Sequence, residues 1–267
     1  MVSDSKLKNK SHLCVGIDIL PELIPNSIKK KKKPLQYFVE LVINSTSDFA
    51  GAYKFNLAFF EALGSAGYKI LESTLKKCPN QIEKIGDAKR GDIDSTSKYY
   101  AKSIFEHFGF DSVTLNPLLG YDSMLPFFSY KGKTNYVLAL TSNRGAGDFQ
   151  KLKLENGKIL SNHILKKVKS WNLIHQNLGI VFGATQKAEF HNLDQSIKKI
   201  KILIPGIGAQ GGDLEFVLKH LKKNKLESFL INSSRGILYS GIADNMSKTI
   251  NENARKLKQL IDNIYYD

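Results

Sequence analysis

Residues 82–115 read IEKIGDAKRGDIDSTSKYYAKSIFEHFGFDSVTL. This stretch starts with a short apolar run, Ile82–Gly86, passes through a charged turn into a longer amphipathic segment, Ser95–Phe108, and ends in a second apolar run, Ser112–Leu115. Short apolar runs bounded by turn residues predict strands, whereas the longer segment predicts a helix. The stretch therefore predicts a strand–helix–strand unit, which is typical of a parallel sheet.

The same alternation continues along the whole chain in both directions. The predicted strands are Leu13–Ile17, Gly51–Phe55, Ile82–Gly86, Ser112–Leu115, Asn135–Leu140, Gly179–Phe182, Ile202–Ile204 and Ser228–Ile231. The predicted helices are Leu35–Asp48, Ala58–Lys77, Ser95–Phe108, Ser123–Phe128, Ser161–Trp171, Gln186–Lys198, Asp213–Lys222 and Met246–Ile264. Glu83 and Lys84 make the third strand the weakest of the set. A strand followed by a helix, repeated eight times in about 250 residues, predicts an α/β fold of the (β/α)₈ TIM-barrel type, formed as a single domain by residues 1–267.

Composition sets the broad class of the protein. The chain has 267 residues, of which 42% are hydrophobic and 24% are charged, and this usage excludes disordered and fibrous proteins. No apolar run approaches the roughly 18 residues that cross a bilayer, and the first residues lack the apolar core of a signal peptide. We therefore expect a cytoplasmic protein without a membrane partner. Cys14 and Cys78 lie far apart, and the histidines show no HxH or HExxH pairing, so we expect no disulfide framework and no metal, although carboxylate-held magnesium stays open.

Charge is the one unusual property. The 39 Lys and Arg exceed the 25 Asp and Glu by 14, so any partner that uses this charge is anionic, such as a phosphate compound or a nucleic acid. Five of the lysines form the run Lys29–Lys33. Because no aromatic residue is interleaved in this run, we interpret it as a solvated loop rather than a nucleic-acid surface.

A barrel predicts where catalytic groups lie, because active sites of this fold form at the carboxyl ends of the strands. The third strand ends in the motif D-x-K-x-x-D, formed by Asp87, Lys89 and Asp92. In an extended segment Asp87 and Lys89 point to the same side, which would be the barrel mouth. Lys54, at the end of the second strand, is expected to join them. Such an alternating array of ammonium and carboxylate groups keeps each member charged despite partial burial.

A second group of residues is suited to an anion. The glycine-rich segment Gly206–Gly212 follows the seventh strand, and Ser234-Arg235-Gly236 follows the eighth. Barrels frequently bind phosphate at these two loops, where glycines expose backbone N–H groups. Gln210 and Arg235 would add side-chain donors, and Arg235 can bind bidentately.

These motifs together resemble a known family. The chain resembles orotidine 5′-phosphate decarboxylase in its bacterial type 2 form, in motif order over essentially its whole length. The motifs that carry the resemblance are Cys14-Val15-Gly16-Ile17-Asp18, Lys54-Phe55-Asn56, Gly86-Asp87-Ala88-Lys89-Arg90-Gly91-Asp92-Ile93, Thr141-Ser142-Asn143, Pro205-Gly206-Ile207-Gly208-Ala209-Gln210-Gly211-Gly212 and Asn232-Ser233-Ser234-Arg235-Gly236. The resemblance implies decarboxylation of orotidine 5′-phosphate to uridine 5′-phosphate without a cofactor, the last step of de novo UMP biosynthesis.

The resemblance also implies catalytic roles. Lys89 would be the proton donor, Asp87 would lie beside the substrate carboxylate, and Lys54 would bond to Asp87. The site would be completed across a homodimer, with Asp92 entering from the other subunit. Ile93 and Thr96 would accompany it.

The implied substrate contacts involve other strand ends. Asp18 and Lys54 would hold ribose hydroxyls, Ser142 would read the amide edge of the pyrimidine, and Gln210 and Arg235 would hold the 5′-phosphate. Binding at these points would orient the substrate against the charged array.

Some positions depart from this pattern or keep two interpretations. Arg144 stands where the family usually has proline in Ser-Asn-Pro-Gly, so the resemblance does not extend to the geometry of the loop after the fifth strand. Asn56 and Asn116 either contact a ligand or cap the next segment. Trp171 is expected to pack rather than to stack on a ligand. His12, His107 and His191 are interpreted as structural or surface groups.

Two alternative functions remain at this point. A magnesium-dependent sugar-phosphate decarboxylase or aldolase of the same barrel suprafamily shares D-x-K-x-x-D, but a magnesium site should add convergent carboxylates, and only Asp18 is evident. A nucleic-acid-binding protein would use the positive charge but leaves the strand-end motifs unexplained. We therefore expect no nucleic-acid partner.

Overall fold

The computed structural model describes residues 11–207, 211–240 and 245–267. Within these residues, eight parallel strands follow one another in chain order and close into a barrel, with β8 paired to β1. This confirms the predicted (β/α)₈ barrel. The strands are β1 Leu13–Ile17, β2 Ala52–Asn56, β3 Glu83–Arg90, β4 Ser112–Leu115, β5 Thr134–Leu140, β6 Leu178–Phe182, β7 Lys201–Ile204 and β8 Phe229–Ser233.

Helices separate the strands and cover the outside of the barrel. They are α1 Asn26–Lys29, α2 Pro34–Thr46, α3 Leu57–Glu61, α4 Gly64–Lys77, α5 Asp94–Lys102, α6 Tyr121–Phe128, α7 Ala146–Phe149, α8 Leu160–His175, α9 Leu214–Lys223, α10 Arg235–Leu238 and α11 Met246–Tyr266. A π-helical turn, Ser103–His107, extends α5. None of the helices in this part of the chain combines the length and the apolar composition that crossing a membrane requires.

The prediction of one continuous helix over Ala58–Lys77 is wrong, because the structure divides it into α3 and α4. Gly64 begins α4 with a φ of +60°, in the left-handed region that glycine adopts without steric cost. Three residues later, a Cβ on Gly67 would lie 1.9 Å from the carbonyl oxygen of Phe60. The chain therefore bends between α3 and α4, and the absence of a side chain at Gly67 allows the two helices to approach closely.

The predicted helix Gln186–Lys198 is also wrong. The structure has two short 3₁₀ helices there, Lys187–Asn192 and Gln195–Ile197. Asp194 separates them and accepts a hydrogen bond from the backbone N–H of Ser196. Asp at such a position favours a new turn over continuation of a helix, because its side chain competes for nearby backbone donors.

The third strand, predicted to be the weakest, spans eight residues as β3. Glu83 is accommodated because its carboxylate accepts hydrogen bonds from the hydroxyls of Ser112 and Tyr136, with Lys201 Nζ 3.8 Å away. A partly buried carboxylate with these partners costs far less than an unpaired one. Charged residues in a strand sequence therefore did not prevent strand formation here.

The buried apolar residues form two clusters. The larger one lies between the barrel and its helices and includes Ile250, Ala254 and Ile261 of α11, as the helical spacing of these residues predicts. The smaller one fills the barrel interior and consists of Cys14, Ala52, Ile85, Tyr136, Val181 and Leu203. Because strand side chains alternate, the residues two positions further along these strands also face inward, at the carboxyl end of the barrel. Lys29–Lys33 are exposed at the surface, as the solvated-loop interpretation predicts.

Candidate active site

A pocket of about 290 Å³ opens above the apolar interior of the barrel. It forms at the carboxyl ends of the strands, where side chains from most of the strands converge. Its polar lining residues are Asp18, Lys54, Asn56, Asp87, Lys89, Thr114, Thr141, Ser142, Asn143, Asn232, Ser234 and Arg235. Lys54 and Asp87 lie two residues after Ala52 and Ile85 of the interior cluster, so the strand period of two places both groups in the pocket.

Asp87 is the centre of the charged cluster. Its Oδ2 lies 2.8 Å from Lys54 Nζ, and its Oδ1 lies 2.6 Å from Lys89 Nζ. Lys54 and Asp87 are buried, with 6% and 9% of their surfaces exposed, whereas the Lys89 side chain is about half exposed to the pocket. The structure thus brings together three of the four predicted members of the array.

The protonation states follow from this arrangement. Burial favours the neutral form of Asp87, but the ammonium groups of Lys54 and Lys89 outweigh it and hold the pKa of this carboxyl well below its ordinary value. Burial likewise opposes the charged form of Lys54, yet Asp87 and Asp18 raise its pKa above the ordinary value. Asp87 is therefore an anion and Lys54 a cation at neutral pH.

Thr114, which the sequence reasoning missed, connects the two halves of the motif. Its hydroxyl donates to Asp87 Oδ1 at 2.9 Å and accepts from the backbone N–H of Lys89 at 3.0 Å. Lys89 has a φ of +49°, so it is not extended as expected but left-handed, a conformation that costs roughly 1–3 kcal/mol for a residue with a side chain. The only sequence feature that could have indicated Thr114 is its position next to the last residue of β4, near the carboxyl end of the barrel.

Asp92, Ile93 and Thr96 follow Lys89 closely in the chain but do not line the pocket. Asp92 Oδ1 accepts from the backbone N–H of Ile93 at 2.8 Å, and Ile93 and Thr96 are exposed. Among the described residues, no ion pair within 4.0 Å joins Asp92 to Lys89. Within the described residues, the fourth predicted member, Asp92, is therefore not joined to the array by an ion pair.

The segments after β1 and β8 carry polar atoms suited to a ligand in the same pocket. Asp18 Oδ1 and Ser234 Oγ are both buried and have no hydrogen-bond partner among the described residues. Buried polar atoms are normally satisfied, so these two indicate a place where a ligand or water binds. Arg235, which is the first residue of α10, also lines this pocket. Gln210, the other predicted phosphate contact, lies outside the described residues.

Ser142 lies at the pocket rim in the loop after β5, as predicted. Asn56 both lines the pocket and caps α3 by accepting from the backbone N–H of Ala58. Asn116 caps the 3₁₀ helix that follows it by accepting from the N–H of Leu118. Trp171 packs against neighbouring aromatic rings, which confirms the packing interpretation.

A second pocket, of about 320 Å³, lies outside the barrel. Arg90 is one of its lining residues, and its guanidinium lies 2.5 Å from Glu61 and over the ring of Tyr100. His107 at its rim is likewise paired with Glu72. We place the active site in the strand-end pocket, because Lys54, Asp87 and Lys89 converge there at the carboxyl ends of the strands, where active sites of this fold form.

Comparison with known proteins decides the family. The family model described as orotidine 5′-phosphate decarboxylase / HUMPS family matches residues 11–249. The chain belongs to this family. The orotidine 5′-phosphate decarboxylase of Dehalococcoides mccartyi (strain CBDB1) is 42% identical over 258 residues, which cover 96% of this chain and 93% of that protein.

Solved structures of the same family share the fold. The OMP decarboxylase of Leishmania donovani superposes with a TM-score of 0.81 at 30% identity, covering 100% of this chain and 98% of that chain. The UMP synthase of Leishmania donovani superposes with a TM-score of 0.85 at 32% identity, and the match covers 99% of this chain but 56% of that longer chain. The family that the strand-end motifs indicate is thus confirmed.

Proposed function

We propose that the protein decarboxylates orotidine 5′-phosphate to uridine 5′-phosphate, the final step of UMP biosynthesis. The observation that carries this proposal is the Lys54–Asp87–Lys89 cluster at the carboxyl end of the barrel, in a chain of this family. The cluster supplies the charge distribution that the reaction requires.

The chemistry explains the need for an ammonium group. When the bond between carbon 6 and the carboxylate breaks, carbon dioxide leaves and the electron pair stays on carbon 6, where no adjacent carbonyl delocalises it. Stabilisation must therefore be largely electrostatic. Lys89 Nζ supplies a positive charge beside this carbon and then transfers its proton to it, completing the product; solvent returns the proton to Lys89.

Asp87 and Lys54 prepare Lys89 for this task. Asp87 holds the Lys89 ammonium at 2.6 Å and is itself held by Lys54 at 2.8 Å, so the proton donor is oriented before substrate binds. Asp87 is also proposed to face the substrate carboxylate, where repulsion between the two anions favours departure of carbon dioxide. The step uses only groups of the protein, and no cofactor is part of the proposal.

Substrate binding is proposed to use Lys54 of the cluster together with other residues that line the pocket. Asp18 and Lys54 hold the ribose hydroxyls, Ser142 reads the pyrimidine, and Arg235 holds the 5′-phosphate together with Gln210. The buried unpartnered oxygen of Asp18 supports the ribose contact, since hydroxyl donors would satisfy it.

We propose a homodimer in which Asp92, Ile93 and Thr96 reach the site of the partner. Ile93 is 56% exposed and Leu118, on the neighbouring loop, is 75% exposed, so this face presents apolar surface next to the pocket. The two loops are adjacent because the N–H of Asn116 donates to the carbonyl of Arg90. Cytoplasmic location and the absence of nucleic-acid and membrane partners remain predictions, as does the single-domain organisation.

The first experiment follows the loss of orotidine 5′-phosphate absorbance by purified protein in EDTA. Lys89→Ala tests the proton donor, and Lys256→Ala, at an exposed site on α11, is the matched control. We expect turnover in the wild type and in Lys256→Ala, and none in folded Lys89→Ala. A folded but inert wild type would refute the proposal and would direct the work to magnesium-dependent reactions of sugar phosphates.

Shared sites have their own test, in which two inactive variants, Lys89→Ala and Asp92→Ala, are mixed. If Lys89 and Asp92 of one site come from different chains, mixed dimers contain one intact site, and random exchange restores about a quarter of wild-type activity. No recovery after confirmed subunit exchange would contradict the shared site.

A further inference from the structure

The loop after β5, residues 141–143, is irregular backbone at the rim of the pocket, yet side chains from two other segments hold it firmly. We infer that Gln150 and Gln186 are positioning residues that place Ser142 for recognition of the pyrimidine. This inference rests on the proposed function. Neither glutamine lines the pocket, so both act through the loop.

Gln150, which follows α7, binds Thr141 at two points. Its Oε1 accepts from the backbone N–H of Thr141 at 2.7 Å, and its Nε2 donates to the Thr141 hydroxyl at 3.0 Å. The amide thus replaces the ladder partner that the backbone loses where β5 ends.

Gln186, in the segment after β6, binds the other backbone group of the same residue. Its Nε2 donates to the Thr141 carbonyl at 2.9 Å, and its side chain is buried, with 8% of the residue exposed. Two side-chain amides therefore hold both polar groups of the peptide units that flank Thr141. This fixes the direction in which the chain enters Ser142.

Two further contacts press the loop against the end of β6. Thr185 donates from its hydroxyl to the Ser142 carbonyl at 2.8 Å. A Cβ on Gly183 would lie 2.6 Å from the Ser142 nitrogen, so the missing side chain is what allows the approach. Arg144 follows the loop at the position where the family usually has proline. Because arginine lacks the pyrrolidine ring that fixes φ in proline, the loop depends on these contacts for its shape.

The chemistry of the two amides predicts different outcomes for the same substitution. Gln150→Glu keeps the acceptor for the Thr141 N–H, and the Thr141 hydroxyl can donate to the new carboxylate. Gln186→Glu places an acceptor against the Thr141 carbonyl and removes the donor. Gln150→Met replaces the glutamine by an apolar side chain of similar size and removes both contacts with Thr141. It tests the positioning role of Gln150 independently, so the inference stays testable if Gln186→Glu fails to fold.

The test measures dissociation constants for uridine 5′-phosphate and for ribose 5-phosphate, which lacks the base, together with kcat/KM. We expect Gln186→Glu and Gln150→Met to weaken uridine 5′-phosphate binding about tenfold and leave ribose 5-phosphate within about twofold, as expected for one misplaced polar contact. Gln150→Glu and the exposed control Gln259→Glu should resemble wild type.

Equal weakening of both ligands would indicate a general structural role and overturn the inference, as would unchanged uridine 5′-phosphate binding in folded Gln150→Met. Failure of the proposed function looks different, because the wild type itself would then neither bind uridine 5′-phosphate nor consume orotidine 5′-phosphate.

Discussion

Thr114→Val tests whether the catalytic cluster depends on a residue that carries no charge. The hydroxyl of Thr114 is buried, donates to Asp87 at 2.9 Å and accepts from the Lys89 N–H at 3.0 Å. Valine has nearly the same shape, so the substitution removes both hydrogen bonds without opening a cavity. Lys89 then loses the contact that holds its left-handed backbone, and its ammonium shifts relative to Asp87.

The structure sets the expected magnitude. A hydrogen bond to a charged group contributes about 1.5–3 kcal/mol, and a buried N–H left without a partner costs about 1–3 kcal/mol. We expect the free energy of unfolding to fall by about 2–4 kcal/mol, because part of this cost is relieved by local adjustment. Since about 1.4 kcal/mol corresponds to a tenfold rate change, misplacement of Lys89 should lower kcat about 10- to 100-fold.

The assay combines steady-state decarboxylation with urea unfolding. KM should change little, because the hydrogen bonds of the Thr114 hydroxyl go to Asp87 and Lys89 and not to the groups proposed to hold the ribose and the phosphate. Thr114→Ser is the matched control, since it keeps the hydroxyl and should retain kcat within about threefold while losing about 1 kcal/mol of stability with the methyl group. A Thr114→Val enzyme that is less stable but retains wild-type kcat would refute a role of Thr114 in placing Lys89.

Three other outcomes follow from the same geometry. Lys54→Met leaves Asp87 buried with one cation fewer and should lower the free energy of unfolding by about 3–5 kcal/mol, whereas adding Asp87→Asn should recover part of this loss in urea titrations. Burial raises the pKa of Asp87, but the two ammonium groups lower it by more, so the pKa lies below its ordinary value. The ion pairs of Asp87 therefore stabilise the protein above about pH 4, and this stability is lost as the pH falls through the lowered pKa. Unfolding curves of Asp87→Asn measured at several pH values should lack this part of the acid dependence. Gly183→Ala should cost about 1–3 kcal/mol and reduce activity, because its methyl group would lie 2.6 Å from a backbone nitrogen of the loop after β5, whereas Gly147→Ala, with nothing within 4 Å, should be neutral in both assays.

Strand positions were predictable because burial within a barrel imposes a strong local pattern. β1 and β4 match their predicted bounds, and the other strands differ by a few residues at their ends. Strand periodicity also predicted that Lys54 and Asp87 share the pocket. The errors concerned two predicted helices, which are interrupted by the left-handed backbone of Gly64 and by the side-chain hydrogen bond of Asp194.

Part of the candidate site had little or no signal in the sequence. Thr114, Gln150 and Gln186 are common residue types at unremarkable spacings, and their partners are 9 to 45 positions away in the chain. The left-handed backbone of Lys89 was likewise unexpected, since an isolated segment with this sequence would favour an extended or helical conformation. Only a contact with another strand maintains it.

The sequence by itself determined the alternation of strands and helices, the position of D-x-K-x-x-D at a strand end and the family to which the chain belongs. These properties are encoded locally, in hydrophobic period and residue order. Tertiary structure decided which atoms meet: Asp87 with Lys54 and Lys89, Thr114 between them, and two glutamines on the backbone of Thr141. The physical reason is that barrel closure brings distant strand ends within hydrogen-bond range. Whether a hydrogen bond forms there depends on differences of a few tenths of an ångström in donor–acceptor distance, which no local sequence pattern specifies.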